Sequence, residues 1–328
     1  MRAWWWALVL GCLAGPVLAQ RGYEHSLVGD PADNVSTRAP TAATAMLMGG
    51  GPDVDDAFRW MIAQAGGGDF VVLRASGDDG YNRYVYALGG MASVETLVVR
   101  SRAAAADPFV LARVAQAEAV FITGGDQADY LRLWKGTPLQ AALEALVARR
   151  VPIGGTSAGL AVLGEVDYAA TKGSVVSAEA LADPYRRTMT LDQGFLTAPG
   201  LAGVVTDSHF RQRDRMGRLL AFVARNVQDG RVALAAARGL GVDERTAVVV
   251  ADGVARRLGV GAAYFLRPLA APLVCQRGQP LTQRDVQVDR LDGDGSFDLR
   301  SWTGATTRYG LAAEAGQLLS SQPGGAVY

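Results

Sequence analysis

Short, nearly continuous apolar runs recur along the first half of this sequence, each closing on small residues and each followed by apolar positions at helical spacing. Thr44-Ala45-Met46-Leu47-Met48 stops at Gly49-Gly50-Gly51-Pro52, and residues 55–64 then place Phe58, Met61 and Ile62 on one helical face. Residues 70–73 run into Ala75-Ser76-Gly77, and residues 95–99 precede a helical stretch at 107–116 with Asp107 as its cap before Pro108. Residues 119–122 end at Thr123-Gly124-Gly125-Asp126-Gln127, ahead of helical periodicity over 128–134 and 139–150. Strands without polar alternation are buried on both faces, so the pattern predicts an α/β fold: a mostly parallel sheet covered by helices on each side.

The second half is less regular. Residues 151–153 form a further apolar run, 164–200 carry little periodicity, and 203–206 read as a buried strand leading to Asp207-Ser208-His209, with a helix over 213–225. Residues 232–236, 241–243, 247–250 and 256–260 read as strands, with Ala251-Asp252-Gly253 as a hairpin turn. They predict a C-terminal mixed or antiparallel β extension of the same sheet. Residues 292–298 imitate a calcium loop but lack the bidentate glutamate at its twelfth position, so they read as an Asp-Gly turn. The expected organisation is a loose arm at 20–43, a single domain at 44–316 and a flexible tail at 317–328.

Of 328 residues 49% are hydrophobic and 20% charged, with 32 Lys and Arg against 32 Asp and Glu. No net field draws such a chain to nucleic acid or an anionic membrane. Residues 1–19 read as a secretory signal peptide: Arg2, then an apolar stretch from Ala3 to Leu10, then Val17-Leu18-Ala19 offering small side chains for cleavage near Ala19. Gly11, Gly15 and Pro16 interrupt the stretch before it reaches the roughly 20 residues that a bilayer requires. The expected location is secreted or periplasmic, with no membrane contact after cleavage; Val9-Leu10-Gly11-Cys12 offers a minor lipoprotein alternative. The mature chain would keep Cys275 alone, so no internal disulfide is expected, and no Cys/His cluster suggests a metal or cofactor.

The chemistry centres on Gly155-Thr156-Ser157-Ala158-Gly159. A serine between glycines, after an apolar run and before a helix, has the pattern of a nucleophile elbow, which makes Ser157 the candidate nucleophile. The chain has only two histidines; His25 falls in the arm, whereas His209 follows a buried strand at the edge where parallel sheets place ligands. His209 is therefore the candidate base. A carboxylate must orient the ring: Glu179, between serine and histidine, is favoured, with Asp207 as the other candidate or a specificity residue. The amide of Ala158 and the pair Gly124-Gly125, chiefly Gly125, are candidate oxyanion donors.

The blocks Thr123-Gly124-Gly125-Asp126-Gln127, Gly154-Gly155-Thr156-Ser157-Ala158-Gly159 and residues 207–218 occur in that order, and Gly241-Val242-Asp243-Glu244-Arg245-Thr246-Ala247 continues them. Over about residues 44–265 the chain resembles the cyanophycinases and their relatives in the S51 serine peptidase family. The resemblance implies a three-layer α/β sandwich like the class I glutamine amidotransferases, with Ser157, His209 and Glu179 as the triad. It further implies that Asp126, Gln127, Asp207, Arg213, Arg215 and Arg218 bind substrate, since guanidinium groups suit free carboxylates. Ser208 and Asp214 depart from the residues expected in the best-known members. The substrate implied is a β-aspartyl peptide or polymer such as cyanophycin, cut to β-Asp-Arg dipeptides; an aspartyl dipeptidase is the variant within the family, and a homodimer stays open. An α/β-hydrolase esterase and a non-catalytic binding protein are the readings outside it; against the first, this chain has no His-Gly-Gly-Gly segment before the serine.

Overall fold

A computed structural model describes residues 22–32 and 41–328; the leader and Cys12 lie outside the described residues. The first half forms β1 (Tyr23–Gly29), β2 (Thr44–Met48), α1 (Asp55–Ala65), β3 (Asp69–Arg74), α2 (Tyr81–Ala87), β4 (Ser93–Val99), α3 (Pro108–Gln116), β5 (Ala119–Ile122), α4 (Gln127–Trp134), α5 (Pro138–Ala148) and β6 (Ile153–Thr156). Strands β4-β3-β5-β6-β2 lie side by side and parallel. Alternate residues feed opposite layers. Met46, Met48, Phe70, Val72 and Phe121 pack with Phe58, Met61 and Ile62 of α1, while Ala45, Leu47, Val71, Leu73, Val120 and Ile122 pack with Val110, Val114, Leu139 and Leu143 of α3 and α5. Apolar residues are needed on both faces, which is why these strands read as unbroken runs. Asp107 caps α3 by accepting the Phe109 N–H at 2.9 Å.

The second half continues with α6 (Ala158–Ala161), β7 (Val166–Tyr168), α7 (Ser177–Ala182), β8 (Leu191–Gln193), β9 (Val204–Asp207), α8 (Met216–Gln228), β10 (Arg238–Val242), β11 (Thr246–Ala251), β12 (Val254–Gly259), β13 (Ala263–Pro268), β14 (Gln283–Leu291), β15 (Ser296–Asp298), β16 (Thr303–Gly304), β17 (Thr307–Glu314) and β18 (Gln317–Ser320). Among the described residues, β11, β12, β15 and β16 extend the first sheet antiparallel to a total of ten strands. The others build a second sheet of eight, ordered β18-β17-β14-β13-β10-β9-β7-β8. A second sheet therefore stands where one extended sheet was expected. The chain passes from β10 in one to β11 in the other through Asp243-Glu244-Arg245 alone.

Three segments differ from expectation. The arm carries β1, which pairs antiparallel with β4, and His25 Nε2 lies 2.6 Å from Glu95 Oε2. Glu95 is fully buried and also receives Arg113, so the strand edge supplies partners to a carboxylate that could not stay unpaired there. Residues 232–236 close a turn in which Ala236 and Ala237 both donate to Ala233 O; an alanine run has little preference for a strand. The tail is built into the second sheet, with β18 antiparallel to β17. Residues 292–298 hold an exposed turn leading into β15, Cys275 is a free buried thiol, and no described helix is long and apolar enough to cross a membrane.

Candidate active site

Ser157 is the single residue between β6 and α6, and it adopts φ 52° and ψ −113°. A side chain in that region costs about 1–3 kcal/mol and persists only where its surroundings fix it. Its N–H donates to Met48 O at 3.1 Å, and its carbonyl accepts the Ala161 N–H at 3.1 Å. The bend leaves no room beside it: a Cβ on Gly159 would lie 2.0 Å from Ile122 O, and one on Gly155 would lie 2.5 Å from the Gly159 carbonyl carbon. Glycine at both positions is a steric requirement, and it holds the hydroxyl beyond the end of the sheet.

His209 follows β9 on the second sheet, also at positive φ (46°). Its N–H donates to Gly49 O at 2.7 Å, tying the ring's backbone to the turn after β2. The Ser157 hydroxyl lies 2.8 Å from Nε2, and Nδ1 lies 2.6 Å from Glu244 Oε1. Gly50 lets the ring enter, since a Cβ there would stand 2.5 Å from its Cε1. Glu244 sits in the crossing between the sheets, with its N–H donating to Gln212 Oε1 at 2.9 Å. Burial pushes the His209 pKa below 6.5; the bond to Glu244 opposes this, and Arg213 and Arg215 add to it. A hydroxyl donating to a neutral imidazole, whose other nitrogen donates to a carboxylate, is an arrangement that can activate an oxygen nucleophile.

The carboxylate on the ring is thus Glu244, and neither Glu179 nor Asp207. Glu179 lies on α7, about two-fifths exposed, with Oε1 3.2 Å from Arg186. Asp207 is buried and held by Arg218, whose Nε is 2.7 Å from Oδ2 and whose Nη2 is 2.5 Å from Oδ1. Expecting the acid between serine and histidine in chain order missed a residue that follows both. The signal was present in the block around Asp243-Glu244-Arg245, where an acid stands at the end of a strand neighbouring the one that leads to His209.

A cavity of about 300 Å³ opens beside the serine, lined by Gly125, Asp126, Gln127, Ala158, Asp207 and the three arginines 213, 215 and 218 among others. The Ala158 N–H, at the first position of α6, has no intrahelical acceptor. Asp126 caps α4 by accepting the Ala128 N–H at 2.9 Å, and Gln127 Nε2 donates to Tyr168 O at 3.3 Å. Arg218 is committed to Asp207 and stacks over Tyr168, its guanidinium carbon 5.1 Å from the ring centre. Arg215 donates through Nη1 to Ser208 O at 2.8 Å, and burial lowers its pKa to about 10. Arg213 is exposed and has no ion-pair partner among the described residues. Arg215 Nη1 also lies 3.3 Å from Asp207 Oδ1, and three arginines against Asp126 and Asp207 leave the cavity net positive and suited to negative charge. No cluster of three His, Cys, Asp or Glu able to hold a metal occurs among the described residues.

Strand, bend and cavity together are those of an α/β hydrolytic scaffold, and the sequence comparison narrows this. Residues 78–258 match peptidase family S51, and the chain belongs to that family. A cyanophycinase from Synechococcus elongatus is 34% identical over 218 residues, covering 65% of this chain and 62% of its own length. One from Trichormus variabilis is 30% identical over 216 residues, 64% of this chain and 66% of its own. The aligned region thus spans less than two thirds of either relative. Among solved structures, a peptidase from an acI-B1 Actinobacterium superposes with a TM-score of 0.50 at 16% identity, covering 80% of this chain and 100% of that one. This likeness concerns the fold alone, a layered α/β sandwich.

Proposed function

We propose that the chain is a serine peptidase that hydrolyses β-aspartyl peptide bonds, with cyanophycin as the polymer class and β-Asp-Arg dipeptides as products. The observation that carries the reading is the line Ser157–His209–Glu244, with 2.8 and 2.6 Å between its members, opening on a cavity lined by three arginines, of which Arg213 has no ion-pair partner among the described residues. In the first step Ser157 Oγ attacks the carbonyl carbon and its proton passes to His209 Nε2; Glu244 holds Nδ1–H and balances the imidazolium. The bend at Ser157 then acts as a nucleophile elbow, and the N–H groups of Ala158 and Gly125 receive the oxyanion. The ring next returns its proton to the leaving amine, and water resolves the acyl-enzyme by the same route. Arg213 and Arg215 bind carboxylates of an aspartyl backbone through charge-assisted hydrogen bonds. Export through the leader at residues 1–19 suits an enzyme that degrades polymer outside its own cell.

The test is mass spectrometry of products after incubation with cyanophycin and, in parallel, a panel of α- and β-aspartyl dipeptides. Release of β-Asp-Arg, lost in Ser157→Ala, is expected. Cleavage of only N-terminal aspartyl dipeptides would assign the dipeptidase branch instead, and turnover confined to simple esters would refute both.

A further inference from the structure

The segment after β18 returns to the loop that carries the base. Tyr309 donates its hydroxyl to Val327 O at 2.7 Å, and the Tyr328 ring stands edge-on to Phe210 and Tyr264, with centroids 5.9 and 5.7 Å away. The Tyr328 hydroxyl donates to Asp214 Oδ1 at 2.9 Å and accepts the Met216 N–H at 3.0 Å. The first contact falls within the turn between His209 and α8, and the second on the first residue of α8. Asp214 adopts φ 48° there, and its carbonyl accepts a hydrogen bond from Ser177 Oγ.

Asp214 stands in sequence between Arg213 and Arg215, yet its carboxylate pairs with neither. An anion released beside two cations would neutralise them and draw them from the cavity. We propose that Tyr328 is a positioning residue that holds the Asp214 carboxylate away from the site arginines, so that Arg213 stays available to a substrate carboxylate and Arg215 keeps its pairing with Asp207. The inference rests on the peptidase reading above. The groups facing His209 that bear on its protonation are Glu244, Arg213 and Arg215, and withdrawal of the two cations removes two influences that lower its pKa.

The experiment compares the full-length chain with Tyr328→Phe, Asp214→Asn and the double variant, on β-aspartyl peptides. Tyr328→Phe keeps the ring packing and removes both hydrogen bonds. Its KM should rise about tenfold with kcat within about twofold, the size expected for one weakened charge-assisted contact. Its acid limb in kcat/KM should move to higher pH. Adding Asp214→Asn, which removes the neutralising charge, should restore KM and the limb. An unchanged KM, a loss confined to kcat and melting temperature, or a double variant no better than Tyr328→Phe would each overturn the inference while leaving the peptidase reading intact. A wild-type chain that turns over no β-aspartyl peptide overturns the proposed function and the inference with it.

Discussion

Ser157 and His209 both hold positive φ, and neither conformation is one a side chain adopts unforced. Each is fixed by a hydrogen bond to the same short stretch, Met48 O for the serine and Gly49 O for the histidine. Orientation of the ring falls to Glu244. Glu244→Gln should therefore lower kcat by about 10³–10⁴, as loss of a tautomer-fixing carboxylate does, whereas Glu179→Gln should leave it within about twofold. Kinetics of both variants against the same peptide decide between the two residues. The His209 pKa lies below 6.5, and the base works only when neutral, so kcat/KM should fall only on the acid side of that value. Arg213 disfavours the imidazolium; Arg213→Gln should raise the ring's pKa and carry the acid limb to higher pH. A limb that stays put or moves to lower pH would show that Arg213 does not act on the ring. Serine and base were legible because glycines crowd one and scarcity singles out the other. The acid was missed because its partnership is made across two strands, its one sequence signal being an acid at the end of the strand beside the one that leads to His209.

Strands buried on both faces were readable directly from their composition: β2, β3, β4 and β5 fall where the apolar runs do, whereas β6 shares only Ile153 with the run at 151–153. Elements whose partners lie far along the chain were not: β1 needs Glu95 and Arg100 to make sense of its polar residues, and α8 begins at Met216 because Arg213 to Arg215 belong to the turn. Strand β7 contains an internal conflict. Asp167 is fully buried with no hydrogen-bond partner for either oxygen among the described residues, and it stands opposite Asp192 in β8. Burial, and then Asp192, raise its pKa well above 3.8, while Lys135 opposes them. The folded chain thus holds a proton that the unfolded chain releases above that pH. The stabilising contribution is complete below pH 3.8 and is lost as pH rises through the folded pKa. Asp167→Asn should raise the melting temperature at pH 7–8 by about 2–5 °C, with the difference closing below pH 3.8. Melting curves across this range check it, and a variant that melts lower at neutral pH would mean that the carboxylate has a partner.

At the scale of the whole molecule, the matched family region at residues 78–258 omits β2 and everything after β12, yet both contribute to the site's surroundings. The last residue of β2 and the first after it receive the backbone N–H groups of serine and histidine, and β13, β14, β17 and β18 complete the second sheet. The hydroxyl comes from one sheet and the imidazole from the other. Their alignment consequently depends on how the two sheets are held together, and a reagent that bonds to Ser157 Oγ and hydrogen-bonds the ring would tie one sheet to the other. Such an adduct should melt hotter than the free protein, and Gly50→Ala, which pushes the ring aside, should erase the gain.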